Sequence, residues 1–456
     1  MLGVSGLRGW IGRSLTPSVA ATFAAAFGDW VKASHGEANP HVVVGRDSRP
    51  SGPMVEHAVL SGLLASGCRI TRLGVVSTPA AALMVTRLNA LGGLVLTASH
   101  NPLPWNGIKP LRADGVAPPA EEANQIIERY HASQFDYAEV GELQSVTEDD
   151  TAAGVHADAV AKQLNIASIR SAGLTVVVDS VCGAGGPEAK ALLEALRVTV
   201  IPMHMAPTGA FPHGPEPVKD NLGELCHAVR EQGADVGFAQ DPDADRLALV
   251  DEHGRYIGEE YTFALCAMHL MGVSGASRPE TPVREAACNL STSRMIDDVA
   301  QMAGGTVYRT PVGEANVAAA MRAHQAPIGG EGNGGIIWHR LGQVRNSLLG
   351  MGLICEMLAL TGQPLSEAAR RLPAYAMVKQ KIELGEEGMD VLKTRLEHAF
   401  ANQSLDTQDG VRIDWPDKWI HVRPSNTEPV LRLISEAPDE TSAQQLIDHV
   451  RDTLGI

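Results

Sequence analysis

The chain has 456 residues, with 37 lysines and arginines against 53 aspartates and glutamates, a formal net charge of −16, and 44% hydrophobic residues. That length exceeds one hydrophobic core and suits about three units of ~150 residues, while the apolar fraction excludes a disordered chain. The acidic balance disfavours a nucleic-acid surface, which needs a basic face. The strongest bare apolar stretch, Val19 to Phe27, carries Thr22 and falls far short of the ~20 residues of a membrane span.

From the amino terminus, Met1-Leu-Gly-Val-Ser-Gly-Leu-Arg8 carries no basic region leading into an apolar run, so a cytoplasmic protein without a secretory signal is expected. Thr16-Pro17 and Thr78-Pro79 each offer an N-cap followed by proline at the first helical position. Short β-branched runs at His41–Gly45, Gly93–Thr97, Leu174–Asp179 and Ala234–Phe238 read as strands buried on both faces, hence parallel α/β layers. Six cysteines without a C-x-x-C pair read as small buried hydrophobes. Residues 134 to 154 are acidic and show no firm period, and a helical stretch follows from His156. Gly183-Ala-Gly-Gly186 suits a tight strand-to-helix turn. Boundaries near 150, 253 and 372 give three α/β units, 1–150, 151–253 and 254–372, and a smaller α+β unit, 373–456, closed by a helix over Thr441–Leu454.

Four loops carry chemistry-bearing side chains. Thr97-Ala-Ser-His-Asn-Pro102 follows a buried strand, where Ser99 can project into a crevice at the carboxyl end of a sheet; a plain turn is the other reading. Without a G-x-S-x-G elbow there is little support for an esterase. Asp241-Pro-Asp-Ala-Asp-Arg246 sets three carboxylates at alternate positions, suited to Mg²⁺. Glu252 falls where a calcium EF-hand ends, but Arg246 replaces the required glycine and both flanks read as strands. Gly329-Gly-Glu-Gly-Asn-Gly-Gly335 combines close backbone approach with a carboxylate, Glu331, and an amide, Asn333, that can bind sugar hydroxyls, or it is a loose turn. Arg423-Pro-Ser-Asn-Thr-Glu-Pro429 groups a guanidinium, hydroxyls and an amide as a phosphate clamp or a capped turn.

In this order the four loops resemble the α-D-phosphohexomutase superfamily. The resemblance is carried also by Val4-Ser-Gly-Leu-Arg-Gly9, Val44-Gly-Arg-Asp-Ser-Arg49, Asn106-Gly-Ile-Lys109 and Thr310-Pro-Val-Gly313, and so spans nearly the whole chain. It implies three similar α/β domains and a smaller α+β domain around a central cleft. It further implies an isomerase that interconverts hexose 1- and 6-phosphates through a phosphorylated Ser99 and a hexose 1,6-bisphosphate, which also serves as activator. Ser99, Asp241, Asp243 and Asp245 would hold Mg²⁺. Arg8, His100, Lys109 and Arg246 would lie near the reacting oxygens, Glu331 and Asn333 would read the sugar, and Arg423, Ser425, Asn426 and Thr427 would hold the other phosphate. The expected partners are sugar phosphates, with no nucleic acid or membrane, and the expected state is a monomer or homodimer.

The sequence departs from the family at Gly335, at Asn333, where serine is frequent, and at Val344-Arg345-Asn346. Gly335 stands where many bacterial members have histidine, so a proton-transfer group is missing there. Val344-Arg345-Asn346 replaces a common Gly-Arg-Asp, which puts a loop contact in question. The Asn426 position, more often glycine in phosphoglucosamine mutases, leans towards phosphomannomutase/phosphoglucomutase; phosphoglucosamine mutase is the alternative. A metal-dependent phosphatase and a non-catalytic sugar-phosphate-binding protein are more remote ones.

Overall fold

The computed structural model describes residues 2–3, 5–276, 278, 282–383, 388–425 and 430–456. The strand His41–Arg46 shows why its run is apolar throughout. Val42 and Val44 share a core with Phe23, Phe27 and Trp30, while Val43 shares another with Met84 and Val85. Helices therefore cover both faces of this sheet. The helix Pro17–His35 starts where Thr16 Oγ1 accepts from Val19 N at 3.4 Å, and ends at Gly36 (φ 63°), whose N–H donates to Lys32 O at 2.9 Å. The second start is displaced by one residue from the expectation. Ser77 is the N-cap, accepting from Ala80 N at 3.1 Å, and Thr78 is already helical in Thr78–Arg87. The Thr78 hydroxyl is thereby left for another partner.

The first sheet has seven strands in the order Leu2–Gly3, Gly6–Trp10, Trp105–Arg112, Gly92–Leu96, His41–Arg46, Arg69–Val75 and Val146–Glu148. Its last strand lies within the stretch that shows no period in sequence, and pairs in parallel with Arg69–Val75. The second sheet runs Leu247–Asp251, Val236–Gln240, Thr175–Asp179, Thr199–Met203, and the third Thr306–Thr310, Glu285–Asn289, Ile328–Glu331, Gly335–Trp338. Purely parallel layers are not what forms. In each of these sheets a parallel pair is followed by an antiparallel return: Gly92–Leu96 to Trp105–Arg112, Val236–Gln240 to Leu247–Asp251, and Ile328–Glu331 to Gly335–Trp338. Connections this short cannot make a parallel crossover, which needs a dozen or more residues. One consequence is that the Ser99, aspartate and Glu331 loops occupy the same place in three sheets.

The second and third units share one core, in which Val176, Phe238 and Leu249 join Ile328, Ile336 and Leu353. The helix Ser347–Thr361, buried from Ser347 to Leu358, runs through it. The fourth unit is a five-stranded antiparallel sheet over Ala376–Ala437. Its helices Gly388–Ala399 and Glu440–Leu454 pack Leu396, Leu446 and Ile447 against Val422 and Leu433. All six cysteines are free, and Cys182 and Cys226 are half-buried rather than buried as expected. Among the described residues no helix is long and apolar enough to cross a membrane.

Candidate active site

Ser99 adopts a left-handed backbone (φ 48°), unusual for a side-chain-bearing residue. Its turn is wrapped around the fully buried Arg49. The guanidinium donates to Ser99 O at 2.5 Å, Asn101 O at 2.6 Å, Pro102 O at 2.9 Å and Trp105 O at 3.0 Å. Asp47 orients it through Arg49 Nε at 3.0 Å and also accepts from Thr97 Oγ1 at 2.7 Å. Thr97 Oγ1 in turn accepts from Ser99 N at 2.8 Å. The result aims the Ser99 hydroxyl at the aspartate loop, and it donates to the buried Asp241 Oδ2 at 2.7 Å. A plain turn does not describe this loop.

The three aspartates are buried, and their carboxylate oxygens lie within 4.8 Å of one another. Asp241 Oδ1 accepts from the Asp245 and Arg246 backbone N–H groups, each at 3.1 Å. Asp243 Oδ2 accepts from Lys109 Nζ and from the Thr78 hydroxyl, each at 2.6 Å. Asp245 Oδ2 accepts from Arg345 Nη2 at 2.6 Å and from Lys109 Nζ at 3.3 Å. Burial, then the charges of Asp243 and Asp245, push Asp241 well above the ordinary carboxylate range. Burial would also raise Asp243 and Asp245, but Lys109 and Arg345 respectively hold them below it. Among the described residues, Asp243 Oδ1 and Asp245 Oδ1 are buried without a hydrogen-bond partner. Two orphaned carboxylate oxygens beside a third aspartate form a hard-oxygen donor set, which fits Mg²⁺. An EF-hand does not fit, because Glu252 turns away to accept from Ser366 N at 3.1 Å.

Cations line the Ser99 side of this cluster. Arg8 Nη1 donates to Asn101 Oδ1 at 3.1 Å. Arg246 Nη1 is bound to Glu216 at 3.1 Å, and its Nε lies 4.0 Å from Asp241. His100 Nδ1 stands 3.4 Å from Ser99 Oγ; burial, aided by Arg246 and Arg8, pushes its pKa well below the ordinary value.

Glu331 and Asn333 come from the third unit. Glu331 accepts from Asn289 Nδ2 at 2.7 Å, from Gly313 N at 3.3 Å and from Arg345 Nη1 at 2.7 Å. Among the described residues, Asn333 Oδ1 is buried without a hydrogen-bond partner. At the Val344-Arg345-Asn346 departure, Arg345 binds Asp245 and Glu331 and so ties the metal loop to the sugar loop, and it also binds Glu314 at 3.0 Å. Its stem occupies the space beside Gly335, where any Cβ would overlap it. Glycine and Arg345 therefore go together, and a histidine at 335 has no room.

Arg423 Nε binds Asp409 Oδ2 at 2.9 Å, and that carboxylate also accepts from Val312 N at 3.0 Å, which gives the Thr310–Gly313 motif its partner in the fourth unit. Among the described residues, Arg423 Nη2 is buried without a hydrogen-bond partner. Ser425 N donates to Val430 O at 2.8 Å; Asn426 and Thr427 lie outside the described residues. Ser99, Arg8, His100, Lys109, Arg246 and the three aspartates are thus one cluster, joined through Arg345 to Glu331. Asp47, Arg49, Thr78, Glu216 and Arg345 belong to its frame although no role is assigned to them from sequence. Asp47 and Arg49 lie in a motif that carries the resemblance, which is the signal that points to them.

Known proteins place the chain. Phosphoglucomutase/phosphomannomutase alpha/beta/alpha domains I, II and III match residues 1–137, 155–254 and 259–375, and the C-terminal domain matches 377–453. A phosphoglucomutase/phosphomannomutase of Thermococcus kodakarensis is 35% identical over 98% of this chain and 97% of its own length. A probable phosphoglucosamine mutase of Methanopyrus kandleri is also 35% identical, over 99% and 96%. The crystal structure of a phosphoglucomutase/phosphomannomutase family protein from Burkholderia thailandensis superposes with a TM-score of 0.84 at 27% identity, covering 100% of this chain and 98% of that one. The chain therefore belongs to the phosphoglucomutase/phosphomannomutase family, phosphohexomutases that catalyse intramolecular phosphoryl transfer.

Proposed function

We propose that this enzyme interconverts hexose 1-phosphate and hexose 6-phosphate through phosphorylated Ser99 and a 1,6-bisphosphate, with mannose and glucose phosphates as its substrates. The observation that carries the reading is the 2.7 Å hydrogen bond from Ser99 Oγ to Asp241, which joins a nucleophile and a cation-binding loop from separate units. The Methanopyrus relative's name makes glucosamine phosphate the competing substrate.

In the forward half-reaction the bond between Ser99 Oγ and phosphorus breaks as the free sugar hydroxyl bonds to phosphorus. The hydroxyl loses its proton and Ser99 Oγ regains one. Asp241, Asp243 and Asp245, with the Ser99 phosphoryl group, would hold Mg²⁺, which when bound draws negative charge from the transferring group. Arg8, Lys109 and Arg246 offset the remaining oxygen charge, so that positioning and neutralisation supply most of the catalysis. Glu331 and Asn333 hold the sugar hydroxyls. Arg423 and Ser425, with Asn426 and Thr427, hold the phosphate that does not react. The bisphosphate then reverses, and its other phosphoryl returns to Ser99.

Coupled assays of mannose, glucose and glucosamine 1-phosphates test this reading. Mutase turnover stimulated by added hexose 1,6-bisphosphate is expected, because an escaped intermediate leaves Ser99 unphosphorylated; steady release of inorganic phosphate indicates a phosphatase instead. Chelation abolishes turnover and Mg²⁺ restores it, and an Asp243→Ala protein fully active in excess chelator contradicts the metal assignment. Arg423→Ala weakens binding of every substrate by a similar factor, on the order of 2 kcal/mol, as expected for one charge-assisted contact to the shared phosphate. Isothermal titration with each sugar phosphate measures it, and an effect confined to one sugar places Arg423 at the sugar.

A further inference from the structure

The loop between Met203 and Lys219 lies over the Ser99 loop. At Gly209 its backbone passes so close to the Ser48 carbonyl that a Cβ would overlap it. The Phe211 ring lies 5.2 Å from the Arg49 guanidinium, and Glu216 binds Arg246 at 3.1 Å and stands 3.7 Å from His100 Nε2. Both the guanidinium that shapes the Ser99 turn and the one nearest Asp241 are therefore touched by this loop.

His213 anchors the loop to the end of the strand Thr175–Asp179. Its Nε2 lies 2.9 Å from Asp179 Oδ2 and its Nδ1 2.9 Å from Gly214 O. Both partners are acceptors, and a neutral imidazole has one N–H to donate. Only the imidazolium satisfies both. The other groups around it agree. Asp179 Oδ1 accepts from Val181 N at 2.9 Å and lies 3.3 Å from Nδ1 of His204, whose ring centroid is 5.8 Å from that of His213. Glu224, from the helix Gly223–Gln232, adds a second negative charge. Burial would lower the His213 pKa, but the bond to Asp179 and the charge of Asp179, then Gly214 O and Glu224, raise it above 6.5.

We propose that His213, as an imidazolium, is a positioning residue for phosphoryl transfer: it clamps the 204–218 loop to Asp179 and so holds Glu216 against Arg246 and Phe211 against Arg49. The role in transfer rests on Ser99 being the phosphoryl carrier. A folded-state pKa raised above the ordinary value means that the clamp is complete at low pH and is lost as pH rises through the raised pKa. Turnover therefore declines on the alkaline side.

The test uses the full-length protein. The His213 Cε1–H resonance, assigned by its absence in His213→Gln, is expected to titrate above 6.5 and to move to lower pH in Asp179→Asn. In wild type kcat falls through the same pH. His213→Gln loses on the order of tenfold in kcat at neutral pH, about 1.4 kcal/mol of positioning, with little change in KM. His213→Arg, a permanent cation, restores most of that loss and removes the alkaline limb. A His213 titration at or below 6.5, or a His213→Gln protein with the wild-type rate and pH profile, overturns the proposal. Stoichiometric Zn²⁺ uptake by wild type but not by His213→Gln overturns it too, because a metal needs the Nε2 lone pair. Absence of mutase turnover in wild type overturns the Ser99 reading and with it the role in transfer, whereas the titration reads the clamp itself.

Discussion

Replacing Ser99 with alanine abolishes turnover, by about 10⁴-fold or more, since the covalent route disappears with the hydroxyl. The fold survives. Ser99 Oγ makes one strong hydrogen bond, to Asp241, whose loss costs about 1 kcal/mol. The turn itself is held by backbone carbonyls on Arg49, which the substitution leaves in place. Thermal unfolding within a few degrees of wild type, together with turnover at background, is the expected pair of results. Full mutase activity in the folded Ser99→Ala protein would remove Ser99 from the chemistry.

Arg49→Ala has the largest expected effect on stability. It strips four carbonyls of their shared donor and leaves Asp47 buried with its counter-charge gone. Breaking a buried ion pair on one side costs about 3–5 kcal/mol. Asp47 is already raised by burial and is restrained chiefly by Arg49, so in the variant its pKa moves further up. Activity falls as well, by about 10²-fold, because the Ser99 hydroxyl is no longer aimed at Asp241. Arg49→Lys restores part of the stability but little activity, since one ammonium cannot span four carbonyls as a guanidinium does. Urea midpoints and kcat measure both, and an unchanged midpoint would contradict the role of Arg49.

What can be read from the sequence is what is local in it. Ser99 and the alternate aspartates sit in short loops after β-branched runs, so chemistry and position are legible together. The partners that hold them are distant: Arg345 lies 100 residues from Asp245, Thr78 lies 165 from Asp243, and Arg49 lies 50 from Ser99. No local pattern marks Arg345 as the bridge between the metal and sugar loops, and its neighbours in sequence suggest a lost contact instead. Once its stem is seen against Gly335, that glycine reads as a requirement of packing. The β-branched runs alone point to parallel layers and miss the antiparallel returns, although the few residues between Ala239 and Leu247 leave no room for a crossover. The helix start at Ser77 was not readable either: Ser77, Thr78 and Pro79 offer two caps in a row, and the choice is made by Asp243, which engages the Thr78 hydroxyl.

The central claim is that Ser99 gives its phosphoryl group to a sugar. The direct measurement is to label the protein with ³²P from a labelled hexose 1,6-bisphosphate, map the label, and chase with an unlabelled hexose 1-phosphate and Mg²⁺. The account predicts label on the Ser99 peptide that passes to hexose bisphosphate and then to hexose 6-phosphate, with Ser99→Ala unlabelled. Label that appears only as inorganic phosphate, or that maps to another residue, would contradict it.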